Sequence, residues 1–82
     1  MNQNKDEYST YDLGLASALA TTGDYELLRL DKLNPKRVRF IFRFDKNIES
    51  TVNKHFGDKL KLPTLSLFNN QKNLKNRIYS DN

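Results

Sequence analysis

The alternation that begins at Arg37 constrains this chain more than any other feature. Val38, Phe40, Phe42 and Phe44 fall on one side of a period-two pattern, and Arg37, Arg39, Ile41 and Arg43 on the other. Successive side chains of a strand point to opposite faces, so the run reads as a strand with one apolar and one basic face. Residues 25–30 alternate less cleanly, with Tyr25, Leu27 and Arg29 against Glu26, Leu28 and Leu30. Between the two lies Asp31-Lys32-Leu33-Asn34-Pro35-Lys36. A residue before proline is steered away from helical backbone, and proline fixes its own φ for a turn. The segment is predicted to be a β-hairpin with a loop longer than two residues. A two-stranded sheet is marginal alone, so helices must cover the phenylalanine face.

The flanking sequence supplies those helices. Residues 1–8 are polar apart from Tyr8 and are expected to form a disordered tail. Ser9-Thr10-Tyr11-Asp12 reads as a helix start, with Ser9 at the N-cap and Asp12 three residues on, near the positive end of the dipole. Tyr11, Leu15, Ala18 and Leu19 then recur at helical spacing, and Gly23 is a helix stop. Beyond the hairpin, Asp45 is the expected N-cap of a second helix, with Ile48, Val52, His55 and Phe56 as its inner stripe and Gly57 at its end. Lys59-Leu60-Lys61-Leu62 alternates and suits a short third strand. The last helix is predicted from Pro63 or Thr64 to about Tyr79, with Leu67, Gln71, Leu74 and Ile78 facing inward. The expectation is one α+β domain over residues 9–82: an N-terminal helix, a β-hairpin, then two helices with the short strand between them. The open edges of the hairpin also invite a homodimer.

Several function classes are excluded on residue inventory. The 82 residues include no cysteine and one histidine, His55, which leaves no thiolate chemistry and no multi-histidine metal site. His55 has no identifiable orienting carboxylate or nucleophile, and Asp45 with Glu49 is accounted for by capping and the dipole. The three glycines at 14, 23 and 57 form no phosphate-binding loop. The expectation is therefore no enzyme, no cofactor and no metal. The longest near-apolar run, residues 13–20, is too short to span a bilayer, and no signal-like h-region is visible. A soluble cytoplasmic domain is expected, with no membrane partner.

Charge gives the positive indication. The net charge is +4, and it is uneven: residues 1–23 are acidic on balance, while residues 46–82 hold seven bases against three acids. The principal candidate site is Lys36, Arg37, Arg39 and Arg43 on the second strand, with Arg29 across the hairpin. Guanidinium groups suit bidentate phosphate contacts, and Ile41 with Tyr25 or Leu27 would add an apolar platform. If that face is free, Arg39→Glu with Arg43→Glu abolishes polyanion binding. The alternative is a solvated face whose arginines pair with Glu26, Asp24 or Asp31. The second candidate is the last helix, with Lys72, Lys75 and Arg77 among asparagines. Here the alternative is an ordinary polar helix face, enriched in lysine and asparagine by AT-rich codon usage.

Three runs resemble a known type: Ser9-Thr10-Tyr11-Asp12-Leu13-Gly14-Leu15-Ala16, Gly23-Asp24-Tyr25-Glu26-Leu27-Leu28 and Asn34-Pro35-Lys36-Arg37-Val38-Arg39-Phe40-Ile41-Phe42. With the closing Asn73-Leu74-Lys75-Asn76-Arg77-Ile78-Tyr79-Ser80, they are similar to a family of small uncharacterised proteins of phages, prophages and assorted bacteria. That resemblance implies a mobile-element setting and transfers no catalytic residue. Three functions stay open: a nucleic-acid-binding accessory protein, a phage-type regulator that binds one protein such as a host defence nuclease, and a structural homo-oligomer.

Overall fold

The computed structural model describes residues 6–34 and 36–80, apart from the side chains of Asn34 and Ser80. In chain order the elements are β1 (Glu7–Thr10), α1 (Leu13–Thr22), β2 (Leu27–Asn34), β3 (Arg37–Arg43), α2 (Ile48–Phe56) and α3 (Thr64–Ser80). The fold class is α+β, with the helices packed over one face of an antiparallel sheet in the order β1-β3-β2. β3 is central because its Phe40 and Phe42 pack into the core, at 1% and 0% exposed. Around them close Leu15, Ala16 and Leu19 of α1, Ile48 of α2 and Leu74 of α3. The small residues of α1 allow α3 to lie close against it, and Asn70 donates to Thr21 Oγ1 across that contact.

The third strand is not where the sequence suggests it. Residues 59–62 belong to no strand, and β1 forms instead from the expected tail and helix start. Tyr8 and Thr10 pair with Phe42 and Phe40 on the core side, and Glu7 and Ser9 with Arg43 and Ile41 on the outer side. The disordered-tail expectation thus fails at Glu7 and Tyr8, while residues 1–5 lie outside the described residues. Since Ser9 is in the strand, α1 begins later. Asp12 is its N-cap, in extended backbone, and its Oδ1 accepts from the Leu15 amide at 2.8 Å. Gly14 fits beneath that carboxylate, where a Cβ would come within 3.2 Å of Oδ1. Gly23 ends α1 in the left-handed region at φ 78°, as expected of a helix-stopping glycine.

The hairpin is longer and tighter than expected. Asn34 pairs with Arg37, so only positions 35 and 36 separate the strands; the turn role expected of Pro35 lies outside the described residues. Leu27 pairs with Phe42 and Arg29 with Ile41, which leaves Leu28 as an extra residue. This bulge resets the phase, so Leu27 packs on the core while Arg29 joins the outer face. That explains the poor alternation in residues 25–30. β1 fills the β3 edge of the hairpin within the chain, and β2 is left at the other edge of the sheet.

Smaller corrections follow from the same packing. Phe44 lies past the end of β3 and is 43% exposed, and Phe56 turns outward from α2. α2 starts after Asn47; Asp45 stands two positions before that cap, its Oδ1 accepting from the Asn47 amide. Gly57 does follow α2, but the left-handed residue there is Asp58, at φ 60°. On α3, Asn70 rather than Gln71 joins Leu67, Leu74 and Ile78 on the inner side. No helix among the described residues is long and apolar enough to cross a membrane.

Candidate nucleic-acid interface

The outer face of the sheet gathers the arginines predicted for it, and acids with them. Arg29 grips Glu7 with both terminal nitrogens, at 2.7 and 3.0 Å, and its Nε reaches Asp31 Oδ1 at 3.2 Å. Arg39 Nη2 lies 3.3 Å from Asp31 Oδ2, and Arg43 Nε 3.0 Å from Glu26 Oε1. Register causes this. Asp31 sits opposite Arg39, and β1 brings Glu7 beside β3 on the side that Arg29 shares. The hydrogen bonds from Arg29 hold the Glu7 carboxyl below the ordinary carboxylate range, and the same contact raises the Arg29 guanidinium. The sequence alternative of cross-strand ion pairs is therefore realised with Glu26 and Asp31, plus Glu7.

The platform expected on this face is absent. Ile41 is 2% exposed, beneath the arginine layer and apart from the helix-side core, and Tyr25 and Leu27 pack on the core side. Arg39 lies down on the sheet, with its Nε buried and without an acceptor among the described residues. Arg37 leaves the group and stacks over the Tyr11 ring at 4.4 Å from its centroid. Tyr11, expected on the inner stripe of α1, is thus an exposed ring at the sheet's end.

The C-terminal candidates are on a separate surface. Positions 65, 68, 72, 75 and 79 advance by alternating steps of three and four, which aligns Leu65, Phe68, Lys72, Lys75 and Tyr79 along one side of α3. All five are exposed, Leu65, Phe68 and Tyr79 by 71, 62 and 78%. Arg77, two positions past Lys75, projects from a different side of the helix. Residues 59–80 contain five bases and no acid, so α3 has no internal carboxylate to neutralise its lysines. Neither Lys72 nor Lys75 forms an ion pair among the described residues. The signal for this stripe is local: aromatic and lysine residues interleaved at three-four spacing along the helix.

Other chemistry is sparse. His55 meets Phe56 edge-on, with ring centroids 4.9 Å apart, in the last turn of α2. Among the described residues, no three His, Cys, Asp or Glu side chains come together as a metal site. Comparisons with protein-family models, curated proteins and solved structures find no match to this chain.

Proposed function

We propose that this protein is a non-enzymatic nucleic-acid-binding accessory protein, and that it binds along the outer stripe of α3 rather than through the hairpin arginines. The observation that supports this reading is the contrast in compensation: among the described residues Lys72 and Lys75 have no acid partner, whereas Arg29, Arg39 and Arg43 each hold a carboxylate. Phosphate contacts from lysine supply affinity without sequence choice, and the flanking Phe68 and Tyr79 offer faces for bases. The mobile-element setting implied by the family resemblance is compatible with such a role.

The test is a titration of labelled single- and double-stranded oligonucleotides at two salt concentrations. Two phosphate contacts give a slope of about −1.4 to −1.8 in log K against log salt, or a loss of about seven- to twelvefold between 50 and 200 mM. Absence of binding at low salt would remove the proposal. A protein partner is the second reading, favoured by the exposure of Leu65 and Phe68 at the start of the same stripe. It is recognised by a tight stoichiometric complex with one acidic protein and no affinity for nucleic acid. A homodimer through the β2 edge would instead show as self-association without a ligand.

A further inference from the structure

Where the end of α3 meets the hairpin there is a recess of about 410 Å³. Leu13, Val38, Phe40 and Ile78 give it an apolar lining, Tyr11 and Tyr79 stand at it as exposed rings, and Lys36 contributes a cation. Resting on the reading of α3 above, we propose that this recess seats one unstacked base of a single strand that runs along α3.

Several independent features converge on that occupant. The volume lies in the range of small-molecule sites, about 300–1,000 Å³. Every nucleobase has a π-face, so exposed tyrosines beside an apolar lining accept any of them. Cations stand near the opening: the Arg37 guanidinium lies 4.4 Å over the Tyr11 ring, and Lys75 is one helical turn before Tyr79 on the same side. The charge complements a phosphodiester backbone. The recess is also preformed. Lys32 Nζ donates to the Arg77 and Ile78 carbonyls at 3.3 and 2.9 Å, which ties the last turn of α3 to β2 and completes the helix end with a positive charge. A wall held in place lowers the ordering cost of binding. A duplex keeps its bases stacked and would have to flip one out to use the site, so the recess selects single strands.

The experiment compares a labelled oligothymidylate with a duplex of the same length, by fluorescence anisotropy, with thymidine monophosphate as competitor. Tyr11→Ala, Tyr79→Ala and Tyr79→Phe are measured beside the wild type, and their thermal melts report folding. The expected result is preference for the single strand, lost by about five- to a hundredfold in each alanine variant. Tyr79→Phe keeps it, and melting temperatures stay near wild type, as both rings are exposed. Alanine variants that bind the single strand like wild type would overturn the proposal, as would equal affinity for duplex. A monophosphate that competes as tightly as the oligonucleotide overturns the strand and leaves a nucleotide site. Salt-sensitive binding with no strand preference removes the recess and spares the α3 reading; no binding of any nucleic acid removes both.

Discussion

The hairpin's outer face and the outer side of α3 draw on similar cations and arrive at opposite electrostatic states. On the hairpin, Arg29, Arg39 and Arg43 meet Glu7, Asp31 and Glu26 at 2.7–3.3 Å. Those separations are far inside the screening length of about 8 Å at physiological salt, so an approaching phosphate meets dipoles rather than a positive sheet. The pairs do little for stability, since water and salt screen exposed ion pairs and holding two long side chains together costs entropy. Their effect is to cancel a field. On α3 the lysines face solvent with no acid in residues 59–80. The lesson is that a surface's field depends on which acids the tertiary register delivers, and a count of bases along the chain does not contain that information.

The same substitution in the two regions should separate them most widely. Phe42 is fully buried under the hairpin, and Phe42→Ala is expected to cost about 3–5 kcal/mol in chemical denaturation. Phe68→Ala, on α3, should stay within about 0.5 kcal/mol of wild type because that ring packs on little. Equal losses would mean that the stripe is part of the core. A smaller effect is expected at the junction that lets β1 form. Asp12→Ala removes the cap of α1 and should cost about 1 kcal/mol, whereas Ser9→Ala should cost less. If Ser9→Ala is the more damaging, Ser9 is the cap after all and β1 is misplaced.

The smallest effect tests how the hairpin face is neutralised. Glu7 is held below its ordinary pKa by hydrogen bonds from Arg29. A depressed carboxyl stabilises the fold fully above its unfolded pKa, and the contribution is lost as pH falls through the lower, folded value. Melting temperature against pH should therefore show a shallow acidic decline that flattens in Glu7→Gln. An unchanged acid limb in that variant would show that Glu7 and Arg29 do not pair in solution.

Much of the fold was legible from local signals. The two faces of β3, the Gly23 stop and the span of α3 follow from spacing and from residues with strong backbone preferences. What escaped depends on partners far along the chain. Glu7-Tyr8-Ser9-Thr10 has no apolar alternation of its own and becomes a strand only because an edge of β3 is open to it. Ser9 and Asp12 are both good caps, and only the pairing of Ser9 with Ile41 decides between them. The Leu28 bulge likewise has no local mark, yet it moves Arg29 to the outer face. The candidate site shows the same division. All eight predicted basic residues were visible, but the pairing of Arg29 with an acid 22 positions away, the burial of Ile41 and the turn of Arg77 away from Lys75 are tertiary outcomes. The α3 stripe itself was readable, because helical spacing is a local property.

The most direct test sets two charge reversals side by side: Lys72→Glu with Lys75→Glu, and Arg39→Glu with Arg43→Glu. Both lower the net charge equally, so any difference in oligonucleotide affinity and salt slope reports location rather than total charge. With both variants shown to be folded, the account predicts that the α3 pair loses salt-dependent binding and that the hairpin pair keeps affinity within a few-fold of wild type. Binding retained in the α3 variant and lost in the hairpin variant would contradict it, and would return the interface to the arginine face.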